Sequence, residues 1–199
     1  QSTKIEKLDL PRPSDYETLG KEFYSLPGII DQVATALKVL EIANASIFGW
    51  SIGGHITHGL SIKYPELVSS VITTGTPSVN FADPEDLKRG FSEWFLTKIV
   101  TDWITKPNHY PREESQMIME SMGYTECKEG GRDVYVVNAL MNSDPLFRKY
   151  LYSTLSDHVG NKELYGRAFL EENRRIPVCM IEGEDDAGCQ FTSLQAHFN

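Results

Sequence analysis

A serine lies at the centre of the pattern Gly-x-Ser-x-Gly, which is formed by Gly49, Ser51 and Gly53. A short apolar run at 45–48 precedes the pattern, and a stretch with helical character follows it as far as Tyr64. A strand, a tight turn with serine at its apex and a helix together form the context that exposes a serine hydroxyl for nucleophilic attack. We therefore predict that Ser51 attacks a carbonyl carbon, and that the glycines at 49 and 53 relieve crowding between strand and helix.

The helix that begins behind Ser51 directs unpaired backbone N–H groups towards the reacting centre. The N–H of Ile52 is the first of these groups, so we predict that it donates to the oxyanion formed during acyl transfer. The alternative is an ordinary serine in a glycine-rich turn, which would have no chemical role.

A second set of chemically capable residues follows the apolar run 176–181, where an acidic stretch covers 182–186. An acidic side chain at the carboxyl end of a parallel strand suits a catalytic acid. The stretch lacks the alternating oxygen ligands of a calcium loop. His55 and His58 share one face of the helix behind Ser51, but without a third ligand they indicate a polar helix surface. The sequence predicts no metal site.

The pattern of apolar residues predicts a parallel β-α-β unit around Ser51, in an α/β fold with a mostly parallel sheet. Residues 1–24 are polar and predict a loop, and apolar residues with helical spacing predict a helix over 29–40. The next strand is expected at 68–74, and a buried strand at 176–181, which would make Cys179 a small buried side chain.

Helical spacing dominates between these strands and predicts a helical cap over the catalytic face. One helix is expected through Phe91, Trp94 and Trp103, and another from Pro111 to Gly123. Further helices are expected at 134–141, after the Asp144 N-cap, and at 162–173. The predicted organisation is therefore a first part of the core at 1–77, a cap or lid at 78–165, and a return to the core at 166–199.

Composition restricts the class of partner. The chain has 199 residues, 40% hydrophobic and 24% charged, with a formal net charge of −9. The acidic balance and the lack of a basic run disfavour nucleic acid, and no apolar run approaches the ~18 residues of a membrane span. Three widely spaced cysteines predict a reducing, cytoplasmic location. Nothing in the sequence indicates an oligomeric state.

Three segments resemble the α/β-hydrolase superfamily with a serine nucleophile: Gly49–His55, Tyr64–Val68 and Gly183–Asp186. The resemblance implies that Asp186 is the catalytic acid, with Asp185 as the alternative, and that a histidine follows it in the chain. Together with the segment Thr73–Pro77, the serine turn is also similar to α/β-hydrolase-fold lactonases that open N-acyl-homoserine lactones. The implied activity is hydrolysis of a small-molecule ester or lactone, without metal or organic cofactor.

The sequence departs from the superfamily at both ends. His197 follows Asp186 by only 11 positions, whereas a helical crossover and a further strand need at least about 15 residues. The catalytic histidine is therefore expected beyond Asn199. Residues 1–44 contain no His-Gly loop for a second oxyanion donor. We expect an internal portion of a longer hydrolase, incomplete at both ends and neither stable nor active alone.

Trp50, Trp94 and Met117 are predicted to contact the substrate. Methionines and aromatics at helical spacing are more often plain core, and that alternative stays open. A second hypothesis for the whole chain is a hydrolase-like binding or structural module that has lost catalysis.

Overall fold

The computed structural model describes residues 13–76, 84–97, 109–158, 176–186 and 188–189. Within these ranges the first three elements are two helices and a strand: α1 (Pro13–Tyr24), α2 (Leu26–Val39) and β1 (Ala45–Trp50). A helix and a strand follow, joined by a short 3-10 turn: α3 (Ile52–Lys63) and β2 (Val68–Thr74). The remaining elements are four helices and a strand: α4 (Pro84–Gly90), α5 (Arg112–Ser121), α6 (Val134–Met141), α7 (Pro145–His158) and β3 (Val178–Ile181).

The described strands form one parallel sheet in the order β1-β2-β3. The register places Trp50 beside Thr74, and Thr74 beside Ile181, so all three strands end at the same level. The predicted fold class and the β-α-β unit around Ser51 are confirmed. The carboxyl ends of parallel strands share one edge of a sheet, and the chain that leaves β1, β2 and β3 therefore meets there.

One face of the sheet packs against α3, and α2 packs in turn against α3. Alternate side chains of a strand point to opposite faces, and on this face Val71 is fully buried between Ile47 and Val178. Leu60 of α3 is also fully buried. The cluster combines apolar residues of α2, α3, β2 and α7: Leu26, Ile30, Ala34, Leu60, Leu67, Val68, Val71 and Leu151. This packing fixes the start of α3 against the end of β1.

The opposite face of the sheet is exposed. Phe48, Trp50 and Ile181 each have more than half of their surface accessible, at 62%, 56% and 54%. Cys179 pairs in register with Ile72 and is also exposed. The predicted strand is confirmed as β3, whereas the predicted burial of this strand and of Cys179 is wrong. β3 lies at the edge of the described sheet. Its residues Cys179 and Ile181 lie on the face of the sheet opposite α3 and are exposed.

Residues 13–24 form a helix, so the prediction of a loop in this region is wrong. Pro13 starts α1 and Asp15 lies in its first turn, where a carboxylate is favourable. Tertiary contacts stabilise this helix, although its sequence is polar and lacks a clear apolar face. The Tyr24 hydroxyl donates to Asp144 Oδ2 at 2.9 Å, and the Tyr24 ring packs edge-on against Phe147. Long-range packing against α7 therefore stabilises a segment whose own pattern is weak.

The predicted helices over 111–123, 134–141 and after Asp144 are confirmed. Gly123 has φ +94° just past α5, as its predicted role at a helix end requires. The Leu146 N–H donates to Asp144 Oδ1 at 2.9 Å. A second apolar cluster joins the residues around α5 and α6: Tyr110, Met119, Cys127, Val137 and Leu140.

The predicted helix through Phe91 is interrupted. α4 ends at Gly90, Phe91 forms an isolated antiparallel bridge with Cys189, and a helical turn resumes only at Glu93. Trp103 and the predicted helix at 162–173 lie outside the described residues. Among the helices that the structure describes, none combines the length and the apolar character needed to cross a bilayer. The predicted boundaries of the cap stay a prediction.

Candidate active site

Ser51 occupies the sharp bend between β1 and α3. Its backbone has φ +53° and ψ −124°, and it is one of three described non-glycine residues with positive φ. This conformation costs an ordinary residue about 1–3 kcal/mol and persists only where its surroundings impose it. The Ser51 side chain is exposed and does not cap the helix that it precedes. The bend therefore presents the hydroxyl to solvent, as the strand-turn-helix pattern predicts.

Three hydrogen bonds hold the Ser51 backbone in this conformation. The Ser51 N–H donates to the Thr74 carbonyl at 2.9 Å, and the Ser51 carbonyl accepts from the Gly54 N–H at 2.9 Å. The same carbonyl accepts from Thr76 Oγ1 at 2.8 Å. Thr74 is the last residue of β2 and Thr76 lies in the loop that follows it, so the end of the neighbouring strand determines the geometry of the bend.

Close packing at the bend requires glycine at two positions. A Cβ on Gly49 would collide with the Gly53 carbonyl and with Thr57 Oγ1. A Cβ on Gly54 would collide with the Thr76 side chain, whereas one on Gly53 would meet no atom within 4 Å. The predicted role of Gly49 is therefore confirmed and that of Gly53 is wrong. The second position at which a side chain would collide is Gly54, which packs against Thr76 and lies outside the Gly-x-Ser-x-Gly motif.

Ile52 is the first residue of α3, so its N–H has no acceptor within the helix. It follows Ser51 directly at the positive end of the helix dipole, where a developing negative charge is stabilised. These features suit an oxyanion donor, and this role of Ile52 stays a prediction.

Asp186 lies in the loop after β3, at the same edge of the sheet as Ser51. Its Oδ1 accepts from the N–H groups of Gly188 and Cys189, each at 2.8 Å. Its Oδ2 lies 3.7 Å from the position that a Cβ on Gly75 would occupy, and Trp50 Nε1 lies 3.2 Å from that position. One oxygen is thus fixed by its own loop, and the other faces the end of β2 beside Ser51. Asp185 is exposed in the preceding turn.

Part of the predicted cap contacts the loop that carries Asp186. The Ser92 N–H donates to the Gly188 carbonyl at 3.0 Å, next to the bridge between Phe91 and Cys189. The Phe95 ring stacks on Phe91 at 4.8 Å and comes within 3.3 Å of the Cβ position of Gly188. The helical spacing of this segment did not indicate the contact, because nothing in a helical pattern identifies a partner so distant in the chain.

Cys189 donates its thiol to the Gly75 carbonyl at 3.3 Å. Burial raises the pKa of the Cys189 thiol, and the nearby carboxylates of Asp186 and Glu182 raise it further. The thiol is therefore protonated at neutral pH and is a poor nucleophile.

Glu182 joins the loops that follow β2 and β3. Its Oε2 accepts from the Gly75 N–H at 2.8 Å and its Oε1 from the Thr76 N–H at 3.1 Å. Partial burial raises the pKa of Glu182, the two backbone N–H groups oppose that rise, and the charge of Asp186 adds to it. Sequence reasoning treated Glu182 only as part of the acidic stretch. The nearest signal was the Thr73–Pro77 segment, in which Glu182 accepts hydrogen bonds from the N–H groups of Gly75 and Thr76.

His55 and His58 are buried on α3, with 4% and 2% of their surfaces exposed. The prediction that they form a polar helix surface is therefore wrong, because this face of α3 packs into the protein. Burial, and to a lesser extent the neighbouring His58, lowers the pKa of His55 to about 3. His55 is consequently neutral at pH 7 and a weak proton acceptor.

The residues predicted to contact substrate differ in their surroundings. Trp50 is 56% exposed beside the Ser51 bend, and Trp94 is half-buried in the helical turn after Phe91. Met117 is 62% exposed on α5, which packs on α6. All three roles stay predictions. Within the described residues, no group of three or more His, Cys, Asp or Glu side chains is arranged to hold a metal ion.

No protein-family model matches the chain. A curated relative is the pimeloyl-[acyl-carrier protein] methyl ester esterase of Aeromonas hydrophila subsp. hydrophila, 30% identical over 73 residues. That match covers 37% of this chain and 27% of the esterase.

Solved structures with the same fold include a mutant of N-acyl homoserine lactonase AidH in complex with N-hexanoyl homoserine, at a TM-score of 0.67 and 20% identity. The match covers 88% of this chain and 57% of the lactonase. An esterase from Exiguobacterium antarcticum has a TM-score of 0.58 and 14% identity, with 87% of this chain and 60% of the esterase covered. A bromoperoxidase from Bacillus anthracis has a TM-score of 0.56 and 16% identity, over 87% of this chain and 61% of that one.

The chain therefore has the α/β-hydrolase fold and spans less than two thirds of the length of each of these proteins. The resemblance to this superfamily, inferred from the three sequence segments, is supported at the level of the fold.

The conformation of Ser51 makes a prediction about stability. Replacing Ser51 with glycine removes the side chain that disfavours positive φ, whereas alanine retains the strain. We expect Ser51→Gly to be more stable to urea unfolding than Ser51→Ala by about 1 kcal/mol. The control is Ala36→Gly on the exposed side of α2, where glycine should instead cost about 1 kcal/mol. Equal stability of the two Ser51 variants would contradict the strained conformation.

The packing at the bend makes a second prediction. Gly54→Ala places a methyl group against Thr76 and should destabilise the fold by about 1–3 kcal/mol. Gly53→Ala, at the adjacent residue, meets open space inside α3 and should leave the free energy of unfolding unchanged or raise it by up to about 1 kcal/mol. Thermal and urea unfolding of both variants measure the difference. A Gly53 variant as unstable as the Gly54 variant would show that the motif glycine is the crowded one.

Proposed function

We propose that the protein is a serine hydrolase that cleaves a carboxylic ester or lactone. The observation that carries this proposal is the left-handed backbone of Ser51 at an exposed bend, at the same sheet edge as the Asp186 carboxylate. Strain of this kind is retained where surrounding contacts enforce it and is concentrated at catalytic sites. The relatives described above, which include two esterases and a lactonase, support the same class of reaction.

In the proposed mechanism, Ser51 Oγ attacks the carbonyl carbon while a histidine accepts the hydroxyl proton. The carbonyl oxygen becomes an oxyanion, and the Ile52 N–H donates to it. Asp186 Oδ2 accepts the other imidazole N–H, which fixes the ring and stabilises its charged form. The histidine then returns the proton to the leaving alkoxide, and water releases the acyl group from Ser51 by the same steps. This mechanism requires neither a metal nor an organic cofactor.

We place the histidine of this mechanism outside the described residues, because the two histidines of α3, His55 and His58, are buried. His55 is a poor base because its pKa is near 3. His109 is exposed, and its Nδ1 lies 3.2 Å from the Met141 carbonyl oxygen. His197 lies outside the described residues. A histidine beyond Asn199 would satisfy the chain order Ser, Asp, His.

The proposed substrate class is a small ester or an N-acyl-homoserine lactone. The lactonase AidH, whose complex contains N-hexanoyl homoserine, supports the lactone. Trp50 is exposed beside Ser51 and is proposed to contact the acyl group, with Trp94 and Met117 contributing from the cap. The proposed location of the enzyme is the cytoplasm.

A fluorophosphonate probe tests the nucleophile and the acid in the full-length protein. We expect covalent labelling at Ser51 and none in Ser51→Ala. Asp186→Asn should slow labelling by about 10³–10⁴-fold, because the imidazole loses its orientation and its counter-charge. Asp185→Asn removes the same charge one residue earlier and should leave the rate near that of the parent. A folded protein without labelling at Ser51 would favour the alternative of a non-catalytic binding module.

The substrate class is tested by comparing hydrolysis of short- and long-chain N-acyl-homoserine lactones with hydrolysis of simple p-nitrophenyl esters. We expect kcat/KM for at least one lactone to exceed that for the esters by about tenfold or more, because a site shaped for an acyl amide gains binding energy from it. Faster hydrolysis of simple esters would retain the serine hydrolase and reject the lactonase.

A further inference from the structure

We infer that Glu182 and Thr76 are positioning residues that hold the Ser51 backbone in its reactive conformation through the loop after β2. This inference rests on the proposed function of Ser51 as a nucleophile. It assigns Glu182 a role separate from that of Asp186, although both belong to one acidic stretch.

The first observation is that the Glu182 carboxylate accepts hydrogen bonds from two consecutive backbone N–H groups. Each carboxylate oxygen accepts one of them, Oε2 from Gly75 and Oε1 from Thr76. Gly75 has φ +56°, so the chain turns sharply at this point. Successive N–H groups in such a turn form a concave donor site that suits an anion. The Glu182 carboxylate, which directly follows β3, thereby fixes the loop after β2.

The second link runs from Thr76 to Ser51. Thr76 is fully buried, and its hydroxyl donates to the Ser51 carbonyl at 2.8 Å. Its side chain fills the space directly above Gly54, where a Cβ would collide with it. Thr76 therefore contacts the first turn of α3 on both sides of Ile52, and its position determines where Ser51 and the Ile52 N–H lie.

The third observation is that the carboxylates of Glu182 and Asp186 have different hydrogen-bond partners. Both oxygens of Glu182 are engaged by the β2 loop, so Glu182 is not placed to orient an imidazole. Asp186 uses Oδ1 for its own loop and directs Oδ2 towards Gly75. One carboxylate thus shapes the nucleophile turn while the other is available for the histidine.

The experiment compares fluorophosphonate labelling rates of Thr76→Val, Thr76→Ser, Glu182→Gln and Glu184→Gln in the full-length protein. Thr76→Val keeps the shape of the side chain and removes the hydroxyl, and should slow labelling by about tenfold or more. Thr76→Ser keeps the hydroxyl and should restore most of the rate. Glu182→Gln leaves one acceptor for two N–H groups and should also slow labelling. Glu184→Gln is the matched change of charge two residues away and should not.

A second readout does not depend on activity. In ¹H–¹⁵N spectra, Glu182→Gln should accelerate amide exchange at Gly75 or Thr76, and Thr76→Val should shift the resonances of Ser51, Ile52 and Gly54. Labelling of Thr76→Val at the parental rate in a folded protein would overturn the inference. If the parent protein is not labelled, the proposed function fails. The spectra then decide the positioning contacts alone, and unchanged Ser51 resonances in Thr76→Val would overturn them.

Discussion

The backbone of Ser51 is the constraint around which this part of the molecule is arranged. A serine with positive φ is less stable than a residue in an ordinary turn, so surrounding contacts must offset that cost. Hydrogen bonds to both the N–H and the carbonyl of Ser51 provide these contacts, and most of the partners lie at or just beyond the end of β2. The Ser51 hydroxyl takes no part in these hydrogen bonds, as the proposed role of a nucleophile requires.

The parallel sheet makes these contacts possible. Because β1, β2 and β3 end at one level, three loops with different tasks meet within a few ångströms. The loop after β1 begins with Ser51, the loop after β2 contacts the Ser51 backbone, and the loop after β3 supplies the carboxylates of Glu182 and Asp186. Val71 and Leu60, fully buried beneath this edge, hold the strands and α3 in the relative positions that the loops need. Packing far from the hydroxyl is therefore part of what positions it.

The parts of the fold that were predictable from sequence are those governed by local pattern. The apolar runs of β1 and β2, the pattern of Gly49 and Ser51 at the bend, and the Asp144 N-cap each lie within a few residues of what they determine. Glu182 pairs with Gly75 across 107 positions, and no local pattern reports such a partner. The same holds for α1, which is helical because of α7. Gly54 belongs to this group too, since only its contact with Thr76 distinguishes it from Gly53.

The three cysteines of the chain differ in how accessible their thiols are to solvent. Cys189 lies behind the β2 loop with its sulfur held as a neutral donor, and Cys127 is wholly enclosed in the second apolar cluster. Cys179 is open to solvent on the uncovered face of β3. Alkylating reagents should therefore modify Cys179 first, so loss of activity on such treatment would not identify a cysteine enzyme. The same selectivity offers a single attachment point for a spectroscopic reporter, two strands away from the serine.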